Sequence, residues 1–417
     1  MKIFLYSLLF LLLLGEVYSF AIIRSWLKPF NRPWKKIIFA FYILGSVFSW
    51  YCLFMIRTWM HADLSPLWRN IFLAFMLGIM IAKVFIAFIM LFDEIRRLLL
   101  WIYFKLSSLS KNKRSSAGRS IPRSLFLKRL ALITGGTMLG GFLYGMSNRY
   151  NYQVRKIKLT FNNLPEAFHG LRIVQISDIH AGSFDDKAAV AKGVELIMEQ
   201  QPDLIFFTGD LVNNEAREFY PYVDVFSQLK APLGVYSTLG NHDYGDYIQW
   251  ESPMAKTANL EELKSLHARM NWKLLMNEHV VLQKGEDKIA LIGVENWGAR
   301  AHFAKYGDLH KAYGGLEEKN IPFKILLSHD PSHWDMQVIE EFKNIDLTFS
   351  GHTHGMQFGI EIPGIKWSPV QYLYQHWAGL AHQNNQYLYV NRGYGFLGYP
   401  GRLGILPEIT LVELASV

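Results

Sequence analysis

The sequence predicts two folding units, an all-α membrane module of about four helices over residues 1–150 and an α/β domain over residues 151–417. Three observations predict them. Before residue 150, long Leu/Ile/Phe/Met runs alternate with basic clusters; from Gly170 onward, short β-branched runs alternate with amphipathic stretches as in βα units; and Asp, His and Asn residues gather just after those strands. The length of 417 residues also exceeds the usual size of one domain.

A membrane span needs about 20 mostly apolar residues. Four segments come close, near 3–23, 37–56, 71–92 and 130–146, the last being the shortest and carrying Gly135-Gly136 and Gly140-Gly141. Much of the net charge of +8 lies beside these runs, at Arg24, Lys28, Arg32, Lys35 and Lys36 and again from Arg96 to Arg129. Short cytoplasmic loops are enriched in Lys and Arg, so this placement points to topology rather than to a nucleic-acid partner. With the loops around Arg32 and Lys113 inside, only Arg57 and Arg69 occupy the outer loop, and the N-terminus and the second unit are expected outside the cytoplasm. A cleaved signal peptide over Met1–Ser19 is the rival reading; it reverses both basic loops and puts Glu16 in the cleavage region. Arg123–Lys128 resembles a twin-arginine motif with Ser124 in place of the second arginine, and reads first as a topology-fixing basic loop end. Cys52, the one cysteine, has no disulfide partner. Glu16 and Lys83 are ionisable residues inside apolar spans, at about 10 and 13 Å from the same boundary, and are expected to pair.

In the second unit, strands are predicted at Leu171–Ser177, Asp203–Thr208, Val235–Leu239, around Leu274 and Val280, and at Ile289–Val294, Lys324–Leu327, Leu347–Ser350, Tyr387–Val390 and Ile409–Leu414. Helices are predicted at Asp186–Gln200, Arg217–Leu229 and Leu260–Met270. Asp178 and His180 follow the first strand, Asp210 the second, Asn241 the third, His329 a later one, and His352 and His354 another. Sites of open α/β sheets form at the carboxyl ends of strands, so one crevice can collect all of them.

Divalent cations take carboxylate oxygen and imidazole nitrogen, and two neighbouring cations call for a shared carboxylate. The motifs Asp178-Ile179-His180, Gly209-Asp210, Gly240-Asn241-His242-Asp243, Ser328-His329 and Gly351-His352-Thr353-His354 supply that set. Side chains two apart on extended backbone point the same way, so Asp178 and His180 can grip one ion together with one member of the second histidine pair. Glycines before Asp210, Asn241 and His352 permit a tight approach. Taken singly, such motifs are usually turns or surface accidents; the ordered set is what carries information.

DIH, GD, GNHD, SH and GHTH in this order resemble the calcineurin-like metallophosphoesterase superfamily over roughly Gly170–Leu414. GHTHGMQ and the tail from Asn391-Arg392-Gly393 to Leu411 are similar to its membrane-associated bacterial branch, which includes transmembrane proteins with a metallophosphoesterase domain. The resemblance implies a four-layer α/β/β/α sandwich and two divalent metal ions. It places Asp178, His180, Asp210 and His354 on the first and Asp210, Asn241, His329 and His352 on the second, with Asp210 as bridge. Asp210 is followed by Leu211-Val212-Asn213, not the Asp-Arg-Gly of protein Ser/Thr phosphatases, and Asn213 stands where purple acid phosphatases have tyrosine. Met356 replaces a second glycine usual in the membrane-associated branch.

The expected mechanism is in-line attack by solvent shared between the two ions, without a protein nucleophile. His242 is expected to stabilise the transition state or protonate the leaving oxygen, Asp243 to orient it, and Arg392 and Arg402 to meet the anionic substrate. N/O ligation suits Mn, Fe, Zn and Ni alike. The function expected is hydrolysis of a phosphodiester, a lipid or lipid-nucleotide of the cell envelope, at the bacterial inner membrane; the alternatives are a phosphomonoesterase and a non-catalytic metal-binding scaffold or sensor. A nuclease is disfavoured because no basic stripe interleaved with aromatics crosses the catalytic half, and no protein partner is identifiable.

Overall fold

The computed structural model describes residues 2–61, 65–107, 123–300 and 304–417, which form two compact units, Met1–Tyr144 and Gly145–Val417. In the first unit the chain forms helices α1 (Lys2–Trp26), α2 (Arg32–His61), α3 (Pro66–Ser107) and α4 (Arg123–Gly145). All four carry stretches long and apolar enough to cross a membrane. The predicted third span falls inside a helix of 42 residues, which continues where a basic loop was expected from Arg96. Nothing in the sequence breaks it there, and Asp93 pairs one turn on with Arg96 and Arg97 at 2.9 and 2.8 Å. The loop around Lys113 lies outside the described residues.

The expected intramembrane pair is formed, Lys83 Nζ donating to Glu16 Oε2 at 2.5 Å. Ser46 and Tyr42 donate to Glu16 Oε1 at 2.6 and 3.0 Å, and the Trp50 indole to Oε2 at 3.0 Å, so the carboxylate is satisfied on both oxygens. Gly15 makes this approach possible: a Cβ there would lie 2.6 Å from the Lys83 carbonyl.

The second unit holds β1 (Gln153–Phe161), β2 (Arg172–Ile176), α5 (Lys187–Glu199), β3 (Leu204–Thr208), β4 (Val235–Thr238), β5 (Lys273–Leu274), β6 (Glu278–Lys284), β7 (Asp287–Gly293), β8 (Phe323–Leu327) and β9 (Leu347–Ser350). It ends with β10 (Ile360–Ile362), β11 (Ile365–Trp367), β12 (Gly379–Gln383), β13 (Gln386–Val390) and β14 (Glu408–Ser416). Two six-stranded sheets form, in the orders β1-β14-β2-β3-β4-β5 and β12-β13-β9-β8-β7-β6. Period-two alternation sorts their residues. Ile173, Leu204 and Phe206 of one sheet meet Leu291, Ile325 and Phe349 of the other between the layers. Their neighbours Val174, Ile205 and Phe207 face α5 and the helix Pro253–Arg269, while Ile292 and Leu326 face the segments carrying Leu309, Trp334 and Phe342. The result is the four-layer α/β/β/α order.

Each predicted strand is found within a few residues of its expected bounds, while β1, β10, β11 and β12 were not anticipated. The helix expected at Arg217–Leu229 is instead a 3₁₀ turn, Ala216–Tyr222, followed by the short helix Val223–Phe226. Pro221 removes the N–H that a continuous helix needs there.

Candidate metal centre

Parallel β2, β3 and β4, and β8 and β9 in the facing sheet, end at one place, and the chain turns sharply after each. Asp178, His180, Asp210, His352 and His354 all take left-handed backbone conformations, with φ of 54°, 49°, 62°, 73° and 49°. Such strain in non-glycine residues is maintained only where the surroundings over-determine it, and it clusters at functional sites. It also corrects the expected extended backbone: Asp178 and His180 converge through turns, not through strand alternation. Two glycines open the space. A Cβ on Gly240 would strike the Asp210 carboxylate, and one on Gly351 the Asp178 carboxylate. Met356 sits at φ 50°, the conformation that suits the glycine expected there.

The side chains make two groups. Asp178, His180 and His354 offer ligand atoms within 4.8 Å of one another, and so do Asp210, His329 and His352. Asp210 Oδ2 lies 3.5 Å from His180 Nε2 of the first group and 3.1 Å from His329 Nε2 of its own. Asn241 Oδ1 joins the second group, 3.2 Å from His329 Nε2 and 2.9 Å from His352 Nδ1. Asp178 Oδ1 lies 3.2 Å from His354 Nε2. All seven sequence-predicted ligands are thus brought together around Asp210.

The donor set fits a pair of divalent cations on a feature of the protein itself. Both ring nitrogens of buried His180 have no hydrogen-bond partner, a costly state for dry polar atoms unless a ligand completes it. Burial holds the His180 imidazole well below its usual range, so the ring is neutral, the form that ligates. Burial would raise the Asp210 carboxyl, but the His329 and His242 imidazoles outweigh it and hold the group well below the usual carboxylate range. His329 Nδ1 lies 2.7 Å from the Thr208 carbonyl, a bond that fixes the tautomer and leaves Nε2 facing the cluster.

His242 lies half-buried at the rim, its ring centroid 5.0 Å from that of His180. Its Nδ1 donates to the Asn213 carbonyl at 2.7 Å. That carbonyl, and not Asp243, orients the ring, which corrects the expected role of Asp243. The Asp243 carboxylate instead accepts the backbone N–H groups of Gly240, Asp210 and Leu211 at 2.8, 2.9 and 2.7 Å. Beneath Asn213, half-buried Glu218 accepts the N–H groups of Asn213, Asn214 and Glu215, while desolvation of its carboxyl pushes it up to about 7.

The two arginines differ from expectation. Arg392 is 2% exposed and pairs with Glu408 and Glu361 at 2.5 and 2.6 Å. Arg402 is fully buried, donating to the carbonyls of Arg392, Gly393 and Gly395, with Nη2 3.2 Å from His354 Nδ1. Their charges are spent on partners inside the fold, so neither presents a free guanidinium to a substrate. Two tyrosines that the motifs did not flag do reach the site. Tyr247 OH accepts from Asn241 Nδ2 at 2.8 Å, and Tyr374 OH lies 2.9 Å from His352 Nε2. Neither belongs to a ligand motif, and no sequence signal marked them.

This fold with this ligand cluster defines a membrane-anchored metallophosphoesterase, and the comparisons with known proteins agree. Residues 171–356 match the family "Calcineurin-like phosphoesterase", and residues 1–149 match "Probable Calcineurin-like phosphoesterase, transmembrane domain". The chain belongs to the calcineurin-like phosphoesterases that carry a four-helix transmembrane domain, and it is a hydrolase acting on phosphoester bonds. It is 29% identical over 393 residues to a Danio rerio protein named transmembrane protein with metallophosphoesterase domain, covering 92% of this chain and 81% of that one. It is 27% identical to the uncharacterized metallophosphoesterase YkuE of Bacillus subtilis, covering 72% of this chain and 99% of the relative. It is 29% identical to the UDP-2,3-diacylglucosamine pyrophosphatase LpxG of Chlamydia trachomatis, covering 56% and 81%. Among solved structures, the Haemophilus influenzae NAD nucleotidase aligns with a TM-score of 0.39 at 17% identity, over 54% of this chain and 45% of that one. Relatives occur in animals as well as bacteria, so the family is wider than the bacterial branch named from the sequence.

Proposed function

We propose that the protein hydrolyses a phosphodiester or pyrophosphate linkage carried on a lipid or lipid-nucleotide, with two divalent cations, Mn, Fe, Zn or Ni, held around Asp210. The observation that carries this reading is the gathering of six candidate ligands, Asp178, His180, Asn241, His329, His352 and His354, about the carboxylate of Asp210, with both dry ring nitrogens of His180 left without a hydrogen-bond partner. When bound, such cations supply Lewis acidity and a reactive water at neutral pH.

The chain's own residues do the rest. Asp178, His180, His354 and Asp210 form one cradle, and Asp210, Asn241, His329 and His352 the other. Asp243 holds the loops of Asp210 and Asn241 in register through their backbone. His242, its Nδ1–H committed to the Asn213 carbonyl, presents Nε2, which makes no hydrogen bond among the described residues, to the leaving oxygen and, as the doubly protonated imidazolium, hands it the Nε2 proton, ending as the neutral Nδ1–H ring. The lipid character of the substrate is supported by the transmembrane unit and by LpxG, whose name specifies a diacylated sugar nucleotide. The catalytic unit lies outside the cytoplasm, at the bacterial inner membrane, a reading supported by Arg24, Lys28, Arg32, Lys35 and Lys36 gathered where α1 gives way to α2.

The test is turnover by the purified full chain, loaded with Mn²⁺, on an aryl phosphodiester, an aryl phosphomonoester and a diacylated nucleotide-sugar. Hydrolysis of the diester and the lipid pyrophosphate is expected. Full metal content with no turnover on any of the three defeats the reading in favour of a non-catalytic metal-binding protein.

A further inference from the structure

The hairpin formed by β10 and β11 has its polarity inverted. Its register pairs Ile360 with Trp367, Glu361 with Lys366, and Ile362 with Ile365. In a hairpin lying on a soluble protein, the apolar side faces the protein and the charged side faces water. Here the charged heads turn to the protein, although the Lys366 residue as a whole stays exposed. Glu361 pairs with Arg155 at 2.8 Å and with Arg392 at 2.6 Å, and Lys366 donates to the Ala378 carbonyl beside the Trp377 ring. The isoleucines face out, with Ile360, Ile362 and Ile365 48%, 55% and 53% exposed, and Pro363-Gly364 closes the tip without a charge.

The apolar surface does not stop at the hairpin. Met356, Tyr372 and Leu373 are also exposed. Ser368 donates to the Gly355 carbonyl at 2.7 Å and the Trp367 indole to Tyr372 at 3.5 Å, which ties these segments into one surface beside the His352–His354 turn.

What covers it is indicated by the route of the chain. Gly145 is the last residue of α4, inside the apolar stretch Leu125–Asn148 that is long enough to cross a membrane. Within the catalytic unit, the Gly145 carbonyl accepts the N–H of Arg402 at 2.9 Å. The next residue, Leu403, exchanges backbone bonds with Gln357 and Gly359 at 2.9 Å each, and the hairpin begins at Ile360. The hairpin therefore springs from the same loop cluster that receives the chain as it leaves its apolar stretch.

We propose that this hairpin, with Met356, Tyr372 and Leu373, docks into the interfacial layer of the bilayer that holds the protein's own helices. Apolar side chains with a ring of tyrosine and tryptophan suit that layer, where backbone and aromatic polar atoms can still meet water. The docking needs no assumption about the reaction. Its consequence rests on the phosphoesterase reading: the metal centre opens at the membrane surface, and a phosphoester joined to a lipid reaches it without leaving the bilayer.

The test uses the full chain in phosphatidylcholine–phosphatidylglycerol vesicles, with Cys52 replaced by serine. A polarity-sensitive fluorophore is attached through Ile362→Cys or, as control, Glu286→Cys in the β6–β7 turn, which lies at the opposite end of the sheet from the metal centre. Lipids brominated on their acyl chains should remove most of the emission at 362 and leave 286 unchanged. Equal quenching at the two positions overturns the proposal, as does a label at 362 shielded by a second copy of the chain and untouched by bromine. Separately, the triple variant Ile360→Asp, Ile362→Asp, Ile365→Asp should raise KM for a vesicle-borne phosphodiester by about tenfold while kcat on a soluble aryl phosphodiester is kept. Quenching at 362 without turnover on either substrate would leave the docking standing and remove the phosphoesterase reading alone.

Discussion

The carboxylate of Asp243 accepts the backbone N–H of Asp210 at 2.9 Å, so the third motif holds the second in place. With Gly240 and Leu211 also donating to it, one buried side chain ties two ligand loops together. Asp243→Asn puts an amide NH₂ against N–H donors. Leaving buried donors unsatisfied costs about 1–3 kcal/mol. The variant should lose several degrees of thermal stability and part of its metal, although Asp243 touches no ion. Wild-type melting together with wild-type metal content would show that the loops are held by something else.

Asp210 Oδ2 lies 3.5 Å from His180 Nε2 of one ligand group and 3.1 Å from His329 Nε2 of the other. Asp210→Asn should abolish turnover and lower metal content more than replacement of any ligand belonging to one group, because in the proposed arrangement both ions depend on it. Elemental analysis of the purified variant decides the matter: two tightly bound ions would remove Asp210 from its bridging role.

His242 is expected to act on protons, not on metal. Its Nδ1 is committed to the Asn213 carbonyl, and the backbone N–H of His242 donates to Asp210 Oδ1 at 2.8 Å, so His242→Asn preserves the loop while removing Nε2. Turnover should fall by about 10² with both metals retained, and the loss should grow as the leaving group becomes more basic. An unchanged rate on a substrate with a poor leaving group would make the ring structural.

How much of this was legible in the sequence depended on the range of the information. β2, β3, β4, β8 and β9 could be read because each is a short apolar run ended by Gly or Ser and a ligand. β1 could not, since its strand character comes from pairing with β14 at the far end of the chain. The ligands were visible because coordination chemistry demands particular side chains at strand ends. The role of Asp243 was hidden, because its partners are backbone N–H groups that carry no sequence signature. Arg392 and Arg402 misled for the opposite reason. Arginine in a glycine-rich loop looks exposed until Glu408, Glu361 and a set of carbonyls are found around it.

The Glu16–Lys83 pair is tied into Ser46, Tyr42 and Trp50, so it should be energetically coupled and not merely adjacent. Removing one member strands the other inside the helices, a loss of about 3–5 kcal/mol for a buried pair. Glu16→Gln and Lys83→Met should each lower the melting temperature of the detergent-solubilised protein. The double variant should recover part of the loss, with a coupling of about 0.5–3 kcal/mol. Strictly additive losses would mean that the 2.5 Å contact contributes nothing beyond packing.

His267 gives the catalytic unit an acid-sensitive core. It is fully buried against Phe207 and Trp272, with Nδ1 2.9 Å from Ser237 Oγ and Nε2 without a partner. Burial depresses its imidazole from 6.5 to about 3, so the folded protein keeps it neutral across a range in which the unfolded chain takes up a proton. Between about pH 6.5 and pH 3 the unfolded state binds more protons, so stability is fully present above pH 6.5 and declines as pH falls, by about 1.4 kcal/mol per unit for one proton. His333, brought down to about 4 mainly by burial, adds to the decline with the same sign. His267→Phe retains the aromatic packing, removes the titrating group and should flatten the acid limb by one proton while leaving activity at neutral pH intact. Denaturant titrations of the full chain at pH 5 and pH 7 measure this directly. An equal pH dependence in wild type and variant would show that His267 is already protonated in the folded state, against the burial and the missing Nε2 partner that the structure shows.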